Sequence, residues 1–293
     1  MGNQRSGVGR ALDSMAKWLL KFRLVSIPAK SIANSRFAWS LISRSDRIRT
    51  NRLRDRLTSG EVPRHVSIIM DGNRRFAWSK NSKTMIGHSE GKEKLKEVMD
   101  WVLDLGIPFF TVYALSTENI LEREDDELDI LYNLYISGLN EIAEDPRIHE
   151  RGVRVQVVGR LDMLPQEVRV AIENAEEVTS EYSNFTFTIC LAYGGREEIV
   201  DAVKSVAVDH ASGELDIESI NSSEITKRMY ASELPDPDLV IRTSGEERIS
   251  NFLLWQIAYS ELHFTDVFWP SFSKADLYEA IESYQYRRRR YGG

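Results

Sequence analysis

The sequence predicts an α/β fold, a six-stranded parallel sheet flanked by helices. Three observations predict it. Short apolar runs rich in β-branched and aromatic residues alternate with longer segments whose apolar residues recur at helical spacing. Four of the strands end in polar turns rather than tapering into loops. With 293 residues, 42% apolar and 28% charged, the chain has the composition of a globular protein large enough to bury a sizeable core.

The first strand is carried by Val66, Ile68, Ile69 and Met70, after Pro63. It stops at Asp71-Gly72-Asn73, and Arg74 and Arg75 follow. Gly72 permits a tight turn and lets an anion approach backbone N–H groups. The two arginines add positive charge, and the Asp71 carboxylate suits a Mg²⁺ ion shared with phosphate oxygens. The stretch reads as a diphosphate–metal site, with an ordinary Asp-Gly-Asn turn as the plain alternative.

A helix is expected from about His88, through Leu95, Val98, Met99 and Val102, stopped by Gly106. A strand over 108–115 and a helix over 127–143 follow, then a strand over 153–158. Pro165 opens a third helix through Val168, Ala171, Ile172 and Ala175. A strand over 185–191 precedes a helix through Ile199, Val200, Val203 and Val206. Short strands over 239–241 and 261–264 and a helix carrying Leu277, Ile281 and Tyr284 complete the pattern. Strands alternating with helices imply βαβ units, and ligands of such sheets bind beyond the carboxyl ends of the strands. There the sequence puts Asp71-Gly-Asn-Arg-Arg75, Ser116-Thr-Glu-Asn119, Tyr193-Gly-Gly-Arg196 and Arg242-Thr-Ser-Gly-Glu246. Their convergence on one rim is the strongest argument for a site within the sequence itself.

Charge is distributed unevenly. Residues 1–60 contain 13 Lys and Arg against 3 Asp and Glu, a net of +10, whereas the remainder carries 25 against 42, a net of −17. The arm 1–60 interleaves Trp18, Phe22, Ile32, Phe37 and Trp39 with Lys17, Lys21, Arg23, Lys30 and Arg36. Its apolar runs fall short of the ~20 residues needed to span a bilayer, and it has no continuous apolar stretch of the signal-peptide kind. It suits the surface of an anionic membrane and equally a helical extension packed on the body or on a partner chain. The arginine-rich stretch 44–56 reads as a solvated helix or linker. Nucleic acid is not an expected partner, because no binding module accompanies the charge. The single cysteine, Cys190, excludes an internal disulfide and fits a reducing, cytoplasmic setting.

His65-Val-Ser-Ile-Ile-Met-Asp-Gly-Asn-Arg-Arg75, Ile86-Gly-His88, Tyr113-Ala-Leu-Ser-Thr-Glu-Asn119, Asp238-Leu-Val-Ile-Arg-Thr-Ser-Gly-Glu-Glu-Arg-Ile-Ser-Asn251 and Leu254-Trp-Gln-Ile-Ala-Tyr-Ser-Glu-Leu-His-Phe-Thr265 together resemble the cis-prenyltransferases, the undecaprenyl-diphosphate-synthase-like enzymes. The resemblance runs from about residue 61 to the C-terminus and leaves the arm outside. It implies a homodimer, a hydrophobic tunnel, and Mg²⁺-dependent condensation of isopentenyl diphosphate onto an allylic prenyl diphosphate with formation of cis double bonds. By resemblance Asp71 binds the metal, and Gly72, Asn73, Arg74 and Arg75 cradle the allylic diphosphate, with Phe76 beside them and His88 touching it. Ser116, Thr117 and Glu118 match substrate-contacting positions, and Asn119 the proposed proton acceptor. Arg242, Arg248, Ile249 and Ser250 match the isopentenyl diphosphate site. Glu261 matches a second metal carboxylate, and Glu247, standing where a histidine is frequent, is expected to take its metal role. Arg290 and Gly292 match a tail motif that completes the partner subunit's site in some members.

The chain departs from the pattern at Thr84, where an arginine is usual and Lys83 is adjacent, at Ile120, and at Glu122, where the expected arginine is displaced to Arg123. These departures bear on the grip of the allylic diphosphate. Asp125-Asp-Glu-Leu-Asp129 imitates the DDxxD motif of trans-prenyltransferases, but those are all-helical and carry two copies, so an acidic first helical turn explains it better. A non-catalytic subunit of the same fold would be expected to lack Asp71, Arg242 and Arg248. A different phosphorylated acceptor is the other alternative. Small Ala114 and Val155 lean toward a medium or long product.

Overall fold

In this computed structural model the described residues are 50–54, 56, 57 and 60–291, with side chains up to 287. The chain divides into two compact units, residues 1–51 and 52–293, and the second contains the sheet and its helices. The aromatic residues of the arm lie outside the described residues.

Six strands, β1 (His65–Ile69), β2 (Phe109–Tyr113), β3 (Val153–Val158), β4 (Phe185–Cys190), β5 (Leu239–Arg242) and β6 (Glu261–Phe264), form one sheet in the order β3-β4-β2-β1-β5-β6, with every pair parallel. The helices are α1 (Asn73–Ser79), α2 (Thr84–Asp104), α3 (Thr117–Glu122), α4 (Asp125–Glu144), α5 (Pro146–Arg151), α6 (Gln166–Thr179), α7 (Gly195–Ala211), α8 (Ser222–Thr226) and α9 (Lys274–Tyr291).

Successive strand residues point to opposite faces, and the two cores follow that alternation. Val66 and Ile68 of β1, Phe110 and Val112 of β2, and Leu239 and Ile241 of β5 join the larger core, with Val98 and Val102 of α2, Leu131 of α4 and Ile172 of α6. Ile69, Tyr113 and Val240 face the smaller core, with Phe252, Leu253 and Ile257 from the irregular segment after β5. The inner strands β1 and β5 are buried on both faces, which is why they read as largely apolar runs, while the edge strands β3 and β6 are partly exposed.

Three differences from the sequence reading have local causes. The helix α1 was legible only as a turn. Seven residues span barely two turns, too few to set a repeating apolar stripe apart from a turn, and α1 starts from Gly72 in the left-handed region, φ +102°. α2 starts at Thr84, before His88; its first turn was not legible, because Met85 and Ile86 are exposed apolar residues off the buried stripe. The arginine-rich stretch is not wholly solvated: Arg52, Arg54 and Arg56 are exposed, but Leu53 and Leu57 enter the larger core. Gly106 ends α2 as expected, with φ +70°.

The chain leaves β1 toward β2 on one side and leaves β5 toward β6 on the other. The crevice between the ends of β1 and β5 is therefore the topological switch point, where open α/β sheets bind ligands. The register pairs Ile69 with Arg242 there, two residues before Asp71 in the turn that follows β1.

Candidate active site

Asp71 and Arg242 meet across that crevice. Arg242, only 4% exposed, donates from Nη2 to Asp71 Oδ2 at 2.9 Å and from Nη1 to Ser250 Oγ at 2.7 Å and to the Arg248 carbonyl. Thr243 fixes the Asp71 backbone: its hydroxyl accepts from Asp71 N at 2.9 Å and lies 2.7 Å from Asp71 O. Trp269 N donates to the same carbonyl at 3.0 Å. A Cβ on Gly72 would lie 2.8 Å from Ser244 Oγ and 2.9 Å from a Phe268 ring carbon, so the turn needs glycine for space as well as for its φ. Arg75 sits within 3.5 Å of Asp71 Oδ1 and 3.0 Å of Glu246 Oε1, with its guanidinium over the Phe268 ring.

A second cationic group lies on the α2–α4 side. Glu127, in the acidic first turn of α4, gathers His88 Nε2 at 3.2 Å, Arg74 Nη1 at 3.8 Å and Arg123 Nη1. Arg123 also donates to Asn119 Oδ1 at 3.3 Å. Burial holds His88 below its ordinary pKa; Arg123 and Arg74 push the same way, and the Glu127 contact opposes them. Asn119 belongs to α3, whose N-cap Ser116 accepts from Asn119 N at 3.1 Å. Glu118 loses some hydration, but hydrogen bonds from its own N–H, Ser116, Asn251 and Thr117 outweigh that and lower its pKa.

These groups rim a cavity of about 670 Å³. Asp71, Asn73, His88, Ser116, Glu118, Asn119, Arg123, Arg242, Arg248 and Ser250 supply polar lining, and Leu95, Met99, Leu131, Leu139, Ile142 and Phe187 supply apolar lining from α2, α4 and β4. Ala114 lines it as well; Val155 is buried in the core and does not. Four buried polar atoms around the rim, Asn73 Oδ1, Arg123 Nε, Arg242 Nε and Ser244 Oγ, have no hydrogen-bond partner within the protein. Such groups are costly unless something else satisfies them. The displaced arginine, Arg123, lines the cavity where Ile120 instead packs on the core.

Other expected residues are placed differently. Gly72, Arg74, Arg75, Thr117 and Ile249 stand behind or beside the lining, and Phe76 is buried beneath Lys80. Glu261 is not brought to the rim. It opens β6 instead of closing it, so the parallel register sets it beside Leu239 at the amino end of the sheet, where it accepts from Arg287 at 2.7 Å. Glu247 is exposed on the loop after β5. Among the described residues no group of three or more His, Cys, Asp or Glu side chains is arranged to hold a metal ion. Gly292 and the side chain of Arg290 lie outside the described residues. Asn251, which sequence reasoning passed over, lines the cavity and binds Glu118. Among the described residues no helix is long and apolar enough to cross a membrane.

Comparison with known proteins agrees with this fold. The prenyltransferase family model for undecaprenyl diphosphate synthase matches residues 69–292. The chain is 51% identical over 240 residues to a tritrans,polycis-undecaprenyl-diphosphate synthase (geranylgeranyl-diphosphate specific) of Methanopyrus kandleri, covering 82% of this chain and 88% of the relative. It is 50% identical over 238 residues to the protein of the same description from Pyrococcus horikoshii, covering 81% and 90%. The structure of lavandulyl diphosphate synthase from Lavandula x intermedia, in complex with dimethylallyl diphosphate, superposes with a TM-score of 0.72 at 33% identity, over 76% of this chain and 95% of that one. A probable undecaprenyl diphosphate synthase from Campylobacter jejuni gives 0.64 at 30% identity, over 80% and 99%. This chain belongs to the undecaprenyl diphosphate synthase family of cis-prenyltransferases, enzymes that transfer prenyl groups.

Proposed function

We propose that the chain condenses isopentenyl diphosphate with an allylic prenyl diphosphate to make a Z-polyprenyl diphosphate, a lipid-carrier precursor. The observation that carries this reading is the Asp71–Arg242 pair at the rim of a cavity that is polar at this end and lined by leucines, methionine and phenylalanine elsewhere. Two diphosphates need a cationic rim, and a growing isoprenoid needs an apolar pocket. The relatives' description as specific for geranylgeranyl diphosphate supports a twenty-carbon primer and an undecaprenyl product.

The chemistry assigns roles. The allylic C–O bond breaks, charge grows on the departing diphosphate, and the alkene of the second substrate attacks the cation. Arg74, Arg75, Arg123 and the N–H groups after Gly72 are placed to stabilise the departing diphosphate as charge develops. Arg242, Arg248 and Ser250 hold the diphosphate of isopentenyl diphosphate, the guanidinium fork matching phosphate geometry. After bond formation the product cation loses a proton to a diphosphate oxygen, and Asn119 orients the carbon that loses it. Asp71 is one hard oxygen donor at the rim, its Oδ1 near Arg75 and its Oδ2 bonded to Arg242, so Mg²⁺ held there would exchange for those contacts and take its other ligands from substrate phosphate oxygens and water. When bound, the ion supplies Lewis-acid neutralisation of the leaving diphosphate.

The proposal includes a homodimer in which Arg290 and Gly292 serve the neighbouring copy, and a cytoplasmic protein whose arm 1–60 rests on the inner face of the membrane. Family resemblance supports the first, and the arm's charge and aromatic residues support the second. Labelled isopentenyl diphosphate with primers of ten, fifteen and twenty carbons tests the reading. Labelled polyprenyl products, most abundant with the twenty-carbon primer, are expected; no incorporation with any primer overturns it.

A further inference from the structure

One side chain ties three strand ends together. The Asn251 amide donates from Nδ2 to Glu118 Oε1 at 2.9 Å and to Glu197 Oε2 at 3.0 Å, and its Oδ1 accepts from Arg196 N at 2.8 Å. Its backbone carbonyl accepts from Gly195 N at 2.7 Å. Glu118 lies just beyond β2, Gly195 to Glu197 beyond β4, and Asn251 at the far end of the loop that leaves β5. Both side-chain N–H groups and the carbonyl oxygen are therefore engaged, and the two donated bonds reach carboxylates, the stronger kind.

The surroundings are built to this contact. A Cβ on Gly194 would fall 2.1 Å from Glu197 Oε2 and 2.8 Å from Asn251 Nδ2, although the backbone there is ordinary extended chain. A Cβ on Gly195 would fall 3.0 Å from the Asn251 carbonyl oxygen. The Gly-Gly pair after β4 thus makes room for the asparagine rather than for a phosphate. Ser250 and Asn251 both have positive φ, 46° and 62°, a conformation that needs outside support.

The loop held this way carries Arg248 and Ser250. Its first half is fixed by backbone bonds from Ser244 N to Val267 O and from Gly245 N to Thr265 O. Between Gly245 and Asn251, Glu246 ties Arg248 and Arg75 together, and Arg242 meets the Arg248 carbonyl and Ser250. Asn251 is the fixed point at the loop's second end.

We infer that Asn251 is a positioning residue for the second diphosphate: it sets the place of Arg248 and Ser250 by locking their loop to Glu118, next to Asn119 on the primer side. The inference rests on the proposed function and assigns a role inside it. Without the clamp the loop loses its register to the sheet, and the homoallylic diphosphate is gripped less well. The allylic diphosphate, held by the turn after β1, by Arg74 and Arg75 of α1 and by Arg123, is gripped as before.

Two variants test this, each compared with the wild-type enzyme in steady-state kinetics with both substrates varied. Asn251→Asp keeps shape and the acceptor oxygen but replaces both donors with a charge facing two carboxylates. Gly194→Ala drives a methyl group into the clamp and leaves Asn251 itself unchanged. Both are expected to raise KM for isopentenyl diphosphate roughly tenfold or more, the worth of a lost hydrogen bond to a charged group, while KM for the allylic primer stays within about threefold. Folded variants with wild-type KM for isopentenyl diphosphate, or with both KM values raised alike, overturn the inference. So does loss of the fold in both, which makes the clamp purely structural. A wild-type protein that consumes no isoprenoid precursor refutes the functional reading instead.

Discussion

The Arg242 guanidinium, buried at the end of β5, reaches the Asp71 carboxylate of the neighbouring strand end across 2.9 Å. The same group holds Ser250 and the Arg248 carbonyl, so one planar fork ties the position proposed for the metal to the loop proposed for the second diphosphate. A lysine keeps the charge but offers no fork. Arg242→Lys is therefore expected to raise KM for isopentenyl diphosphate by roughly tenfold or more, with a smaller change for the primer. Wild-type values for both substrates in the same kinetics would refute this.

Cavity depth is open to a direct trial at Gly138 on α4. It lines the cavity, and a Cβ there would meet nothing closer than Lys92 Cδ at 3.6 Å. Gly138→Leu should gain up to about 1 kcal/mol of helix propensity while filling space in the cavity. The expected outcome is an unchanged or raised melting temperature with a shift to shorter products on reversed-phase chromatography. An unchanged product length would show that the growing chain does not pass Gly138.

His65 supplies a pH dependence of stability. It is buried between the Pro235 carbonyl, 2.7 Å from Nδ1, and Thr111 Oγ1, 2.8 Å from Nε2. Burial lowers its pKa to about 4 from an ordinary 6.5, with the Pro235 bond and Asp238 opposing. The unfolded chain therefore binds the proton first as pH falls. The contribution is fully present above pH 6.5 and is lost as pH drops toward 4, in all roughly 3 kcal/mol. Urea unfolding between pH 7 and pH 4.5 should show this slope, and His65→Gln should flatten it. An equal slope in both proteins would assign the acid sensitivity elsewhere.

Truncation should respect the buried leucines of the arginine-rich stretch. A chain beginning at residue 50 keeps Leu53 and Leu57, and one beginning at residue 61 removes both from the larger core. Losing two buried leucines costs several kcal/mol, at about 2–5 for each large-to-small change. The longer chain should melt higher than the shorter by ten degrees or more; equal melting temperatures would show that those side chains add nothing to the core.

Much of this was legible in the sequence for stated physical reasons. The inner strands β1 and β5, buried on both faces, read as largely apolar runs, whereas the edge strand β3 alternates, with Arg154 exposed, and β6 is only half-buried; both edge strands still fall where the residues place them. The rim was legible in part: Asp71, Ser116 and Arg242, at three of the four polar strand ends, line one cavity, whereas residues 193–196 beyond β4 do not. Glu261 shows the limit. A motif match names a residue but not the end of the strand it occupies, and Glu261 begins β6 where Arg242 finishes β5. Asn251 shows another limit: its partners lie 133 and 54 positions away, and an amide in irregular chain carries no periodic signal.

The central claim is that Asp71 serves the transfer of a prenyl group at this rim. It is tested most directly by incorporation of labelled isopentenyl diphosphate by the wild type and by Asp71→Ala, each checked for folding by circular dichroism. Wild-type protein should build labelled polyprenyl diphosphate in the presence of Mg²⁺. The variant, equally folded, should fall by at least about a thousandfold, the scale of a lost metal-centred contribution. A folded Asp71→Ala enzyme turning over at the wild-type rate would contradict the account.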